Sequence, residues 1–274
     1  MSIDRRSTGE RFWLALTSAA VLCVLTVEPM RAQGRQGAPQ GAPPTPQAAS
    51  PIDLTGYWVS VITQDWRYRM VTPTKGDFAG LPLTNAAIDV ANNWEPAKDD
   101  AAGLQCKSYG AAGIMLRPGR LRIGWQDDRT LKIETDAGTQ TRVLRFGNAA
   151  GANAPSSWQG TSAAEWVTPP RPGGRQGRGG APQGAPAVRG GSLKVVTMRM
   201  RGGYLRKNGV PYSENAVLTE YFDIVAPPGA GRRLIVTITV EDPIYLQQPY
   251  IAVAQFKAQA DGSGWDPSPC SSTW

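Results

Sequence analysis

Short β-rich segments separated by turn residues recur between residues 120 and 257, and this pattern limits the folds open to the chain. The segments are rich in Val, Ile, Leu and aromatic residues, and Asp, Asn or Gly stands between several of them. Including one earlier segment, the predicted strands are 56–63, 121–126, 130–135, 140–146, 193–200, 216–224, 234–240 and 250–257. Eight or nine short strands favour a mainly β fold, either a single closed antiparallel barrel or a sandwich.

One short helix interrupts the β pattern, from Thr84 to about Asn93. The Thr84 side chain can cap its first turn, and alanines with Ile88 and Val90 favour or pack the helix. Asn93 marks its end. The chain therefore predicts one helix beside a β core.

The first 32 residues have the features of an export signal. Three arginines precede an apolar run at 12–27, which is shorter than the roughly 20 residues that a membrane span needs. We predict a signal peptide at 1–32, cleaved after Ala32, and the rival interpretation is an uncleaved anchor. The mature protein is expected to be periplasmic or secreted, with no stable membrane span after processing.

The cysteines agree with export. The chain has three, and Cys23 would leave with the signal peptide. Cys106 and Cys270 then remain, and two cysteines in an oxidising compartment usually pair. We therefore predict a disulfide that links the start of the domain to its end.

Two segments of low complexity frame the predicted domain. Residues 33–50 and 168–192 share Gly-Arg-Gln-Gly and Ala-Pro-Gln-Gly-Ala-Pro motifs and lack large apolar side chains. The first is predicted to be a disordered linker and the second a long disordered insertion in the domain at 51–274.

The net charge of +7 belongs mostly to segments outside the predicted core. Outside 1–50 and 168–192, the chain holds 20 basic and 19 acidic residues. A nearly neutral core in an exported protein argues against nucleic acid as a partner.

The chain contains no histidine, which excludes several classes of active site. Ser-His-Asp and Cys-His hydrolases need an imidazole, as do the His-containing zinc motifs. No spacing of acidic residues matches a calcium loop. We predict no metal and no cofactor, and acid–base chemistry would fall to carboxylates, Tyr, Lys or Arg.

Residues Gly56-Tyr57-Trp58 open the first predicted strand after an Asp-Leu-Thr turn. They resemble the Gly-x-Trp start of lipocalin-like (calycin) β-barrels. This resemblance implies that Trp58 closes the base of a barrel, under an Arg from the last strands, which Arg232 or Arg233 could supply. It implies a lipocalin-like barrel of about eight or nine strands.

Three further stretches resemble an uncharacterised family of secreted bacterial proteins. They are the segments 106–110 with 118–123, 203–212 and 239–243. This resemblance covers most of residues 51–270 and implies secretion and the barrel architecture, but it carries no established activity.

Strand alternation singles out Glu220 as a candidate site residue. Leu218, Glu220 and Phe222 share one face of the predicted strand 216–224, so a carboxylate stands in an apolar row. If that row faces the interior, the pKa of Glu220 should rise unless a cation pairs with it. Arg199 has a similar place on its own strand, which predicts an Arg199–Glu220 pair, either structural or part of a polar site.

Two aromatic and basic clusters supply the other candidate ligand-binding residues. If the first strand continues, Trp66 and Tyr68 would share a face opposite Arg67 and Arg69, a stripe that could stack a flat ligand or form an amphipathic edge strand. The second cluster surrounds an Asn-Gly turn and is either a ligand-holding loop or a plain hairpin tip. The predicted ligand-binding set is Trp58, Trp66, Arg67, Tyr68, Arg199, Tyr204, Arg206, Tyr212 and Glu220.

Three functions are compatible with these features. The first is an exported lipocalin-like protein that binds a small apolar or amphipathic molecule. The second is a cofactor-free, His-independent isomerase, dehydratase, cyclase or lyase, with Glu220 as its catalytic carboxylate beside a Tyr and an Arg. The third is an envelope interaction module that acts through the insertion at 168–192. The oligomeric state is left open.

Overall fold

Nine strands form a closed barrel in the computed structural model, which describes residues 42–147, 154–169 and 190–273. The strands are β1 (Gly56–Val61), β2 (Arg120–Asp127), β3 (Thr130–Thr135), β4 (Thr141–Phe146), β5 (Thr161–Val167), β6 (Ser192–Met198), β7 (Gly203–Tyr204), β8 (Pro211–Tyr212), β9 (Val217–Val225), β10 (Arg233–Glu241) and β11 (Tyr250–Gln259). The barrel order is β1-β11-β10-β9-β6-β5-β4-β3-β2, closing on β1. The two remaining strands, β7 and β8, form a small separate sheet.

Burial alternates along the barrel strands because successive side chains point to opposite faces. In β10 the residues Leu234, Val236, Ile238 and Val240 are buried, and the residues between them are only half-buried. Buried and less buried residues also alternate along β3, β4, β6 and β9. The inward side chains of these strands fill the barrel with one continuous core. The predicted mainly β fold with one core is confirmed.

One neighbouring pair of strands departs from the predicted antiparallel arrangement. β4 and β5 run parallel, with Leu144 opposite Ser162, and every other pair in the barrel is antiparallel. The sequence did not predict β5, because small residues such as Ser162, Ala163 and Ala164 have low β propensity. The segment becomes a strand because it pairs with a neighbour on each side.

Several short helices stand where the sequence predicted a single one. The predicted helix is confirmed as α2, and the Thr84 hydroxyl accepts a hydrogen bond from the backbone N–H of Ala87. The others have four to six residues, too few for a helical period to show in the sequence. The helices are α1 (Trp66–Arg69), α2 (Asn85–Asn92), α3 (Pro96–Ala101) and α4 (Ala111–Ile114), with a 3₁₀ helix at Gln105–Tyr109.

All of these helices come between β1 and β2 in the chain, and they cover one end of the barrel. We call it the loop end: β1, β6 and β10 finish there, and β2, β9 and β11 begin there. The turn between β6 and β9, which contains the β7–β8 hairpin, is at the same end. The loop end therefore carries the helices and the β7–β8 hairpin, and the two clefts of the candidate site lie there.

After β11 the chain returns along the outside of the barrel. Ser268 N–H donates to the backbone carbonyl of Asp136, and Cys270 forms the predicted disulfide with Cys106, with the two Cα atoms 5.1 Å apart. Lys207 Nζ donates to the carbonyl of Thr273. The C-terminal segment is thereby attached to the 3₁₀ helix and to the β7–β8 turn.

At the opposite end of the barrel, residues before β1 contact the strands. The Trp166 indole donates to the carbonyl of Pro46 at 2.8 Å, and Gln47 N–H donates to the carbonyl of Asp128 at 3.1 Å. The predicted signal peptide, the linker up to residue 41 and insertion residues 170–189 lie outside the described residues. Within the described ranges, no helix is long and apolar enough to span a membrane.

Candidate functional site

Glu220 faces the barrel interior, but its partner is Arg142 and not Arg199. Both side chains are fully buried, and the guanidinium binds the carboxylate through two hydrogen bonds, Nη1–Oε1 at 2.9 Å and Nη2–Oε2 at 2.5 Å. Arg142 Nη2 also lies 3.4 Å from the Thr197 hydroxyl. Arg142 is therefore the cation that the buried carboxylate needs, and the pair forms part of the core.

The predicted Arg199–Glu220 pair is wrong because strand alternation ends before Arg199. β6 stops at Met198, and Arg199 has a left-handed backbone (φ 57°), is exposed, and donates to the carbonyl of Ala154. Arg142 was missed, although it alternates with the buried Leu144 on β4. The same alternation that selected Glu220 could have selected Arg142.

The stripe predicted at Trp66–Arg69 does not form, because this segment is helix α1 and not a continued strand. The Trp66 side chain is 66% exposed, and Arg67 forms a surface ion pair with Asp77 at 2.7 Å. Arg69 points the other way and is buried. The helical turn thus separates side chains that a strand would have placed on two flat faces.

Trp58 belongs to the core. Its side chain is 1% exposed, its indole N–H donates to the Leu54 carbonyl, and the Arg232 guanidinium lies 5.3 Å from its ring centroid. An Arg over this Trp is the contact that the lipocalin-like resemblance implied. The contact does not by itself establish that family.

An open groove at the loop end is made of two adjoining clefts of about 400 and 430 Å³. Both clefts are lined by Val90, Lys107 and Tyr204, so these residues mark where they meet. Tyr212 and Tyr245 line the first cleft. The groove therefore contains two of the predicted site residues, Tyr204 and Tyr212.

A carboxylate, an ammonium and a phenol form a polar cluster where the clefts meet. Asp99 accepts a hydrogen bond from Lys107 Nζ at 2.7 Å and one from the Tyr204 hydroxyl at 2.8 Å. Burial and the adjacent Asp99 raise the pKa of the Tyr204 hydroxyl. The phenol therefore stays protonated at neutral pH and acts as a donor, which does not suit it to be a general base.

Trp94 adds a buried donor to this wall of the groove. Its side chain is 9% exposed, its ring meets Tyr204 edge-on at 6.5 Å, and none of the described residues accepts a hydrogen bond from its Nε1. A buried indole N–H usually has an acceptor, since leaving it unpaired costs free energy. Trp94 also lines the second cleft.

The walls of the groove are held by capping interactions and close packing. The Thr84 hydroxyl donates to the carbonyl of Ile244, which joins the start of α2 to the β10–β11 loop. The Asp242 carboxylate accepts from the backbone N–H and the hydroxyl of Ser213. These contacts attach one wall of the groove to the next.

The sequence did not predict the contributions of Trp94, Asp99 and Lys107. Lys107 stands in one of the stretches that carried the family resemblance, and this was the available signal. Asp99 lies on α3 and Trp94 precedes that helix, and only the fold places them beside Tyr204. Of the other predicted residues, Tyr68 and Arg206 lie together outside the groove, with the Arg206 guanidinium 4.1 Å from the Tyr68 ring centroid.

The groove combines hydrogen-bond donors with apolar surface. Among the described residues, no group of three or more His, Cys, Asp or Glu side chains is arranged to hold a metal ion. No protein-family model, no curated protein and no solved structure matches this chain.

Proposed function

We propose that this protein binds a small amphipathic molecule outside the plasma membrane, in the groove at the loop end of the barrel. The observation that carries the proposal is the meeting of two clefts at Lys107 and Tyr204, beside the buried Trp94 N–H that has no acceptor among the described residues. Clefts of a few hundred cubic ångströms with a few convergent polar groups are typical ligand sites.

The lining indicates the chemistry of the ligand. Val90, Ile244 and Tyr245 offer apolar surface, and Lys107 and Trp94 offer N–H donors. A ligand with an aromatic or aliphatic body would cover the apolar surface, and an anionic or carbonyl oxygen on it would accept hydrogen bonds from the donors. Such a ligand would lie across the end of the barrel and not inside it, because side chains fill the interior.

The supporting argument for export combines two features of the chain. The Cys106–Cys270 disulfide is typical of oxidising compartments, and the N-terminal 32 residues have the composition of a signal peptide. We infer a periplasmic or secreted protein on this basis.

A catalytic role for Glu220 has less support. Its carboxylate is fully buried and bound at both oxygens by Arg142, and neither residue lines the clefts described above. A general acid or base must reach the proton that it transfers. The geometry therefore favours binding over a Glu220-based enzyme.

Binding of a dansyl-labelled fatty acid tests the proposed groove. The probe carries a carboxylate on an apolar body, and its fluorescence should report saturable 1:1 binding to the wild-type protein. Lys107→Gln and Trp94→Phe should each weaken binding about tenfold, which corresponds to about 1.4 kcal/mol for a lost interaction with an anionic group.

Lys257→Gln is the matched control, because Lys257 is exposed on β11, away from the groove. Thermal unfolding of each variant separates loss of binding from loss of fold. Equal affinity in the wild type and both groove variants would contradict the proposed site, and so would a probe that binds none of the folded proteins.

A further inference from the structure

Three arginines converge beside the groove in a separate, nearly closed cavity. Arg69 ends α1, Arg117 follows α4, and Arg206 stands in the turn between β7 and β8. With Tyr68 and Tyr250 they line a cavity of about 10 Å³, which is room for about one particle the size of a water molecule. We call this the arginine cavity.

The three guanidinium groups are held by backbone carbonyls and not by acids. Arg69 Nε donates to Leu116 at 2.9 Å, Arg117 to Ser108 and Leu205 at 3.0 Å each, and Arg206 Nη1 to Ala79 at 2.9 Å. All three side chains are at least nine-tenths buried.

No carboxylate of the described residues forms an ion pair with any of the three. Asp65 lines the cavity and its negative charge acts on Arg69, but the side chain is exposed and no ion pair joins it to the three arginines. The positive charges therefore repel one another. Burial, together with the charges of Arg69 and Arg206, lowers the pKa of Arg117 to about 10.

The Arg69 side chain, which lines the cavity, contains a donor without a partner in the described part of the chain. Its Nη2 is buried and has no hydrogen-bond partner among the described residues, although the residue is only 5% exposed. A buried, unpaired guanidinium nitrogen is costly, and an anion both satisfies the donor and offsets the repulsion between the three charges.

We propose that the arginine cavity binds a small monovalent anion of halide size. A cavity of about 10 Å³ favours a single-atom ion over phosphate or a carboxylate, which occupy more space. The anion would accept hydrogen bonds from Arg69 Nη2 and the neighbouring guanidinium groups. It would join α1, the turn after α4 and the β7–β8 turn at one point, and so stabilise the loop end.

Thermal unfolding at constant ionic strength tests the proposal, with sodium gluconate replaced stepwise by sodium chloride or bromide. The melting temperature should rise with halide concentration. Above the dissociation constant, the rise should be proportional to the logarithm of that concentration, as for any ligand that binds only the folded state. Phosphate and formate, tested in parallel, should raise it less than chloride at equal concentration. A rise with formate equal to that with chloride would overturn the choice of a halide-sized ion.

Arg69→Met should reduce the chloride-dependent rise in melting temperature at least tenfold. Arg67→Met is the matched control, since Arg67 lies on the same helix, is exposed and pairs with Asp77. An equal chloride effect in Arg69→Met and the wild type would overturn the proposal.

A bromide-soaked crystal of the wild-type protein provides a second measurement that does not depend on folding of the variant. Anomalous scattering should place bromide within hydrogen-bond distance of Arg69 Nη2. A wild-type crystal with no anomalous peak in the cavity, at bromide concentrations that saturate the thermal effect, would also overturn the proposal. This site does not depend on the proposed groove, so the two experiments fail independently.

Discussion

Arg142 and Glu220 face each other across the barrel core, on β4 and β9, and both are fully buried. A buried ion pair adds little net stability compared with apolar residues of the same size, because both charges lose their hydration. Breaking the pair is a different matter, since the remaining charge has no partner. The core therefore does not tolerate the loss of one partner alone, even if the pair itself adds little to the free energy of unfolding.

Glu220→Gln should lower the free energy of unfolding by about 3–5 kcal/mol, because it leaves the Arg142 charge buried without a counter-charge. The double variant Arg142→Met/Glu220→Leu should recover most of that loss. Urea denaturation measures both. Glu165→Gln is the control, since Glu165 pairs with Lys194 at the surface and should cost less than about 1 kcal/mol. If Glu220→Gln also lowered the free energy of unfolding by less than about 1 kcal/mol, the Arg142–Glu220 pair would not be needed for stability.

The junction between the 3₁₀ helix and α4 shows how closely elements meet at the loop end. Gly110 stands at this junction, and the Tyr212 ring of β8 packs directly against it. The backbone of Gly110 is ordinary extended chain (φ −68°), so glycine is needed there for space and not for conformation. The Tyr212 hydroxyl is buried and has no partner among the described residues.

Gly110→Ala should destabilise the protein, because the added Cβ would lie 2.0 Å from the Tyr212 hydroxyl oxygen. We expect a loss of about 1–3 kcal/mol, as for other overpacked sites. Tyr212→Phe should be nearly neutral alone and should reduce the cost of Gly110→Ala. Gly124→Ala, where nothing lies within 4 Å, is the control. Thermal or urea unfolding of the four variants gives the comparison, and equal costs at positions 110 and 124 would refute the packing argument.

At the scale of the whole molecule, a disulfide attaches the C-terminal segment to the loop end of the barrel. The Cys106–Cys270 disulfide joins residues 164 positions apart and so connects the 3₁₀ helix at the loop end with the segment after β11. A cross-link over so long a loop restricts the unfolded chain strongly. It stabilises the fold even though few side chains of the C-terminal segment enter the core.

Reduction of this disulfide should lower the free energy of unfolding by as much as about 5 kcal/mol, the chain-entropy value for a loop of this length. Urea denaturation with and without a reductant measures the difference. The double variant Cys106→Ser/Cys270→Ser should resemble the reduced protein and should not respond to reductant. Identical unfolding curves for oxidised and reduced wild type would contradict this expectation.

Removal of insertion residues 170–189 should leave the barrel intact. Val167 and Ser192 are paired neighbours on β5 and β6, so joining Pro169 to Gly190 leaves a four-residue hairpin loop. The shorter loop should raise stability by roughly 1–2 kcal/mol, because its closure costs less entropy. Urea denaturation tests this. A loss of stability would show that the insertion takes part in the fold.

The predicted strands show what local pattern can establish. Period-2 alternation located eight of the barrel strands to within a few residues, since those strands are long and each buries one side. It missed β5, whose small residues become a strand only through pairing with β4 and β6. It also left a continued strand open at 66–69, where α1 forms, because four residues are too few to distinguish the two periods.

The sequence by itself determined the β class, the single core, the helix capped by Thr84 and the pairing of two cysteines. These follow from alternation, capping chemistry and cysteine number, which are properties of neighbouring residues or of composition. Only the tertiary structure decided that Arg142 pairs with Glu220, that Trp94 and Lys107 share a groove, and that three arginines surround one cavity. Those contacts join side chains from separate elements, and their geometry depends on how the barrel closes.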